Sequence, residues 1–415
     1  MIIRRHFLKM LAGGGALALG TGISGFRLWP DEGFWNPCLA GGLPESLAKH
    51  EILQQAWDGI NPALYRDIHV HLIGTGDSES GIWLNPNLRS IWHPIQNIQF
   101  NFYLNASCTK DGNNVDQNYV NRLYSLMQDF PAGAKSVLLG FEHHYDSDGK
   151  LDQTNSPFHT PNKYARKISD QYPDRFQWAA SIHPYRHDAI EMLELAIKQG
   201  AKVIKWLPPA MNIDPSSARC DAFYEVLVKH KLPLLSHAGD EHAVDAGDLQ
   251  KLGNPLLLRR PLEHGVKVIM AHCATMGSNI DLDKGKNGPE VENYRLFGRL
   301  MDIKKFENNL FGGIAAITQI NRSQEALEYV VNHDEWHHRL LQGSDYPLPG
   351  VMPVFSPQTM VDRGYISLTT AQLISEIRKY NPLLFDFLLK RLIKIKGKSF
   401  SNTVFESERI LTKTS

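Results

Sequence analysis

Two histidines one residue apart, His69 and His71, lie inside a short apolar run, RDIHVHLIG at 66–74. In a strand, alternation puts both imidazoles on one face and Ile68, Val70 and Leu72 on the other. Two neutral imidazole nitrogens held together by the pleat suit zinc or a related ion. The chain has 18 histidines in 415 residues, so roughly one His-x-His arises by chance. The pair therefore needs support from elsewhere. Four other polar residues each arrive where an apolar run stops: Lys205 in AKVIKWL, His237 in LPLLSH, His272 in VKVIMAH and Asp345 in RLLQGSD.

The elements that must position these groups are legible from residue 66 onward. DIHVHLI, KSVLLGF (135–141), FQWAASI (176–182), AKVIKWL (201–207), LPLLSH (232–237), VKVIMAH (266–272), LFGGIAAI (310–317) and RLLQGSD (339–345) read as eight strands. Helical patterns intervene, among them HDAIEMLELAIKQG, which Gly200 should terminate. Near-continuous apolar runs suit buried parallel strands. Eight such units predict a (β/α)8 barrel, which typically takes about 250 residues. The competing open doubly wound sheet lacks support, because no Gly-x-Gly-x-x-Gly follows a strand. In a barrel the active site lies at the C-terminal ends of the strands, where His69, His71, Lys205, His237, His272 and Asp345 all fall.

The catalytic barrel is expected over 66–347, preceded by a lead-in at 31–65. Residues 73–118, rich in Asn, Trp and Phe, form a long insertion after the first strand. Its length and aromatic content predict an ordered lid or an interface, and a homodimer through it is the expected assembly. Residues 348–415 supply C-terminal helices, TTAQLISEIRKY and PLLFDFLLKRLIK, with a loose tail from 401. His333, His337 and His338 are expected to face solvent, away from the metal side.

Composition narrows the partners. The chain is 42% hydrophobic and 21% charged, with 44 basic and 44 acidic residues. Zero net charge argues against nucleic acid and leaves a small molecule as the expected substrate. The first 30 residues differ from the rest. MIIRRHFLKM followed by a glycine-rich apolar stretch has the layout of an export signal. Arg4-Arg5-x-Phe7-Leu8-Lys9 resembles the bacterial twin-arginine signal. The twin-arginine export machinery is then a partner, and the expected location is periplasmic or exported, with the segment either cleaved or retained. Of the four cysteines, none forms a Cys-x-x-Cys pair, and an oxidising destination would favour a Cys38–Cys108 disulfide.

The order His-x-His, His, His, then Gly343-Ser344-Asp345-Tyr346-Pro347 resembles the amidohydrolase superfamily. It is similar in detail to the amidohydrolase-related branch that includes aminocarboxymuconate-semialdehyde decarboxylase. RFQWAASIHPYRHDAIEMLELAIKQGAKVIKWLPP (175–209) fits the same branch. The resemblance covers about 66–347. It implies one divalent ion, usually zinc, held by His69, His71, His237 and Asp345, with His272 beside the bound water or substrate. Zinc lowers the pKa of bound water to about 7, Asp345 accepts its proton, and His272 polarises a carbonyl or shuttles protons. In some branches a lysine at the position of Lys205 is carboxylated and bridges two metals; in others it binds a substrate carboxylate. Glu142, His183 and Trp206 are further candidates for substrate contact. The expected activity is metal-dependent hydrolysis of a C–N or C–O bond. Non-oxidative decarboxylation is the first alternative, and a catalytically inactive metal-binding periplasmic protein is the alternative from another class.

Overall fold

The computed structural model describes residues 30–244 and 246–411; the N-terminal signal-like segment lies outside them. Eight parallel strands form the barrel: β1 (Arg66–His71), β2 (Lys135–Leu139), β3 (Phe176–Ala179), β4 (Ile204–Trp206), β5 (Leu234–Ser236), β6 (Val268–Met270), β7 (Leu310–Gly313) and β8 (Leu340–Leu341). They pair in chain order within two sheets, β1-β2-β3 and β4-β5-β6-β7-β8. Parallel bridges Ala180–Ile204 and Val70–Tyr346 join the two sheets into a closed ring. The eight runs read from the sequence are therefore the eight strands.

The barrel interior is filled by one or two residues from each strand or its immediate flank. Ile68, Val137, Leu139, Ala179, Val203, Leu235, Ile269, Phe311 and Leu341 form one cluster, closed off by Leu411. The helices bury a second, outer layer. Helix α4 (Ala189–Lys198) shows why: Ala189, Leu193 and Ala196, at helical spacing, are its buried residues. Gly200 stops it in the left-handed conformation, φ 89°. Gly312 in β7 is a packing requirement, since a Cβ there would lie 2.8 Å from Cys273 Sγ and from Phe297 Cζ.

Strict alternation along β1 does not hold. The register against β2 shifts between Asp67 and Val70. Ile68 joins the barrel interior, whereas Val70 and Leu72 join the outer layer. A bulge of this kind re-aims side chains next to a site.

The insertion is ordered. Trp83–Leu84 pairs antiparallel with Phe158–His159, and helix α1 (Pro94–Ala106) follows. From α1, Gln99 Nε2 donates to the His242 carbonyl at 3.3 Å and the Tyr103 hydroxyl to that of Ala243 at 2.7 Å. The insertion thus spans the strand-end face from β1 to the loop after β5. The Cys38–Cys108 disulfide pins its far end to the lead-in. Helix α2 (Val115–Met127) then returns to β2.

Two expectations about the periphery are corrected. Residues 401–411 pack as an integral part of the fold: Val404, Phe405 and Ser407 are fully buried. The Gln342 amide donates to the Val404 carbonyl, and Glu408 pairs with Arg66 at the barrel floor. His337 is buried; its Nε2 lies 3.2 Å from the Val331 carbonyl and its Nδ1 accepts from the Ser401 amide. His338 is exposed, as expected. No helix of the described residues is long and apolar enough to cross a membrane.

Candidate metal centre

β1 and β8 together build the core of the centre. The Asp345 amide donates to the His69 carbonyl at 2.8 Å, so the two strand ends are tied through the backbone. Asp345 adopts φ 64°, a left-handed conformation that costs a non-glycine residue about 1–2 kcal/mol. In return its carboxylate meets both histidines of β1. Asp345 Oδ1 lies 3.3 Å from His69 Nε2 and 3.2 Å from His71 Nε2. Ligand atoms of His69, His71 and Asp345 all lie within 4.8 Å of one another. Asp345 Oδ2 faces the other way, 3.9 Å from His272 Nδ1. His69, Asp345 and His272 are each at most 6% exposed.

A buried donor set must be in the right protonation state to hold an ion. Burial, then the Lys205 ammonium, keeps His69 well below the usual imidazole range. Burial, then Arg322, does the same to His272. His237 is pushed down to about 3 by burial, with Lys205 and Arg322 adding to it. Burial alone would raise the Asp345 carboxyl, but the surrounding His69, His71 and His272 hold it well below the carboxylate range. Neutral imidazoles beside an ionised carboxylate are the state metal binding requires. Two nitrogens and one carboxylate oxygen at these separations fit a divalent ion with an open position for water or substrate.

His237 and His272 complete the wall without joining the tight cluster. Their rings lie 5.1 Å apart, and His272 lies 5.2 Å from His69. His272 adopts φ 60° and bonds the Ala315 carbonyl through Nδ1 at 2.9 Å. His237 sits with Nε2 3.2 Å from the Gly239 carbonyl and Nδ1 3.4 Å from Glu241. Turned toward its own loop, it stands beside the three ligand groups. Lys205 is 1% exposed. Its one side-chain hydrogen bond among the described residues is with His69 Nε2, at 3.3 Å, and burial brings its ammonium down to about 8.

The three candidates for substrate contact are employed structurally. Trp206 is fully buried; its ring packs on Phe223 and Tyr224 of helix α5 (Asp221–His230) and its indole donates to the Ile182 carbonyl. An aromatic residue on the outer face of a barrel strand belongs to the helix-facing layer. His183 is fully buried between the Met211 carbonyl and the Tyr185 amide. Glu142 is paired with Arg186 at 3.0 Å and accepts the His143 amide.

Three residues that the sequence did not single out belong to this region. Glu241 stands four residues beyond His237 in the same loop, its carboxylate accepting from the Ala243 and Val244 amides. Tyr103 reaches in from the insertion, close enough for Glu241 and Asp345 to add to the burial that raises its hydroxyl. Arg322, in the loop after β7, is 6% exposed and feels both Asp345 and Glu241. Its signal in the sequence was faint: it is the first charged residue after a ten-residue stretch, GGIAAITQIN.

A family model described as Amidohydrolase matches residues 67–354. No curated protein matches the chain. Among solved structures, the chain is similar to an uncharacterised TIM-barrel protein from Bordetella bronchiseptica (15% identity, 70% of this chain and 88% of that one, TM-score 0.46). It is also similar to the apo IDCase of Metarhizium anisopliae (11% identity, 86% and 98%, TM-score 0.46). A third is a manganese-bound 5-carboxyvanillate decarboxylase mutant from Novosphingobium aromaticivorans (13% identity, 76% and 94%, TM-score 0.41).

Proposed function

This chain belongs to the amidohydrolase family, and from that premise we propose that it is a metal-dependent enzyme that decarboxylates a small carboxylic acid without oxidation. The observation that carries this reading is Lys205. Its ammonium is buried at the ligand cluster, beside His69, and enters no ion pair among the described residues. Asp345 and Glu241 act on it only at a distance, and a buried cation with no anion in direct contact is costly, so its natural complement is a substrate carboxylate.

His69, His71 and Asp345 would hold one divalent ion, which supplies Lewis-acid polarisation of substrate oxygens. Lys205 pairs with the carboxylate and orients it. Exclusion of bulk water strengthens that pairing. When the C–C bond to the carboxylate breaks, the electron pair stays on the substrate carbon and carbon dioxide departs. A proton must then reach that carbon. Water supplies it, and neutral His272, its Nδ1 held by the Ala315 carbonyl, would relay it to that carbon.

Hydrolysis is the second reading, and the split of the Asp345 oxygens favours it. One oxygen faces the ligand histidines and the other points away from them, an arrangement that suits accepting a proton from water. The Cys38–Cys108 disulfide supports placing the enzyme outside the reducing cytoplasm.

The two readings separate in one screen of the metal-loaded protein. Aromatic and unsaturated acids are offered in one arm, neutral esters, lactones and amides in the other. Carbon dioxide release in the first arm, lost in Lys205→Met and Asp345→Asn, is expected. Cleavage confined to the second arm makes the enzyme a hydrolase. Absence of bound metal by elemental analysis, with no turnover in either arm, would overturn the enzymatic reading.

A further inference from the structure

We propose that the loop after β7, residues 315–322, binds a carboxylate of the substrate through Arg322, so that the substrate carries a second anionic group besides the one at Lys205. The assignment rests on the metal-enzyme reading above.

The guanidinium makes one hydrogen bond among the described residues, from Nη1 to Thr275 Oγ1 at 3.1 Å. Thr275 in turn donates to the His272 carbonyl at 2.7 Å. Arg322 is thereby fastened to the turn that presents His272, on the same side of the barrel as the ligands. Its Nε is buried and has no partner. Two further buried polar atoms of this loop, Thr318 Oγ1 and Asn321 Oδ1, also lack partners. Three orphaned polar atoms in one loop are unusual, because buried polar groups nearly always find hydrogen bonds.

Arginine cannot escape the cost of burial by losing its proton. It needs an anion, and Arg322 enters no ion pair among the described residues. The edge carrying Nε has the planar fork that a carboxylate matches with two parallel hydrogen bonds. A phosphate dianion would call for more buried donors than the guanidinium edge and the Thr318 hydroxyl that this loop leaves free.

The test is direct binding to the full chain stripped of metal, which does not depend on catalysis. In a Lys205→Met background, Arg322 is the remaining cation of the centre among the described residues. Benzoate is the probe and benzamide its neutral counterpart, titrated calorimetrically. Arg322→Met is expected to weaken benzoate by about tenfold to a hundredfold, the range of a charge-assisted hydrogen bond, while leaving benzamide unchanged. Arg322→Lys, which keeps the charge and loses the fork, should fall between. If Arg322→Met does not fold, as judged by its melting curve, Arg322→Lys decides alone through a loss of about tenfold. Unchanged benzoate affinity in the folded variant, or tighter binding of inorganic phosphate than of benzoate, overturns the proposal. Failure of the carbon dioxide screen with Arg322-dependent benzoate binding intact would instead fault the catalytic reading.

Discussion

At the residue scale, the centre depends on close approach as much as on its ligands. Gly343 immediately precedes Ser344 and Asp345, and a Cβ built on it would lie 2.9 Å from His69 Cβ and 3.1 Å from Ala315 Cβ. Both neighbours are side-chain carbons attached directly to backbone, so they can yield only if a strand moves. Gly343→Ala should therefore push β1 and β8 apart where Asp345 meets His69. We expect a loss of about 1–3 kcal/mol in urea unfolding, together with weaker metal retention after dialysis. Unaltered metal content and stability would mean that the strands shift freely. Residue types at strand ends were legible because strand ends are where a buried apolar run meets a polar group. The faces taken by Trp206 and His183, both hydrogen-bonded within the fold, were not legible, because a strand-end position does not say which way a side chain points.

At the scale of elements, the β8 turn is held from below by helix α10 (Pro382–Leu392), whose residues Pro382 to Lys390 are all buried. Lys390 donates to the Gly343 carbonyl at 2.6 Å and pairs with Asp386 at 2.7 Å. The neighbouring Asp67 carboxylate accepts the amides of His69 and Ser344. Burial, opposed by Lys390, pushes Asp386 up to about 7. This network supports the two strands that carry the candidate metal ligands. Lys390→Met leaves Asp386 buried without its cation and should cost about 3–5 kcal/mol in urea unfolding. The double variant Asp386→Leu/Lys390→Met, with no charge left behind, should be less damaged than the single one. Equal damage would show that packing, rather than pairing, is what the two residues provide. The sequence predicted a helix here, but the Gly343 carbonyl that Lys390 binds lies 47 residues away, and no local pattern encodes that contact.

At the scale of the whole molecule, several histidines away from the ligand cluster are buried or half-buried and held neutral. His183 is held down to about 3, and His143 and His159 to about 4, in each case chiefly by burial. In the unfolded chain each titrates near the ordinary value of about 6.5. Between these limits the unfolded chain binds more protons, so stability is complete above about pH 6.5 and falls as the pH drops. The urea midpoint of metal-free protein should decline from pH 7 to pH 4.5. His183→Gln, which retains an amide donor for the Met211 carbonyl, should decline less steeply. An equally steep decline in this variant would assign the acid sensitivity to other groups.

What the sequence determined by itself was the barrel and the chemical character of its mouth. Eight apolar runs at regular spacing must be buried on both faces, and a closed parallel ring of strands with helices around it does that. His69, His71 and Asp345 then converge, since they end the first and last strands, which closure makes neighbours. Only the tertiary structure decided the rest. The β1 bulge re-sorted which residues line the interior. The tail from 401 became the barrel floor because Leu411 completes an interior that the strands leave open. Arg322 entered the centre through Thr275, 47 residues away. Each is a contact between segments remote in sequence, fixed by the space that packing leaves.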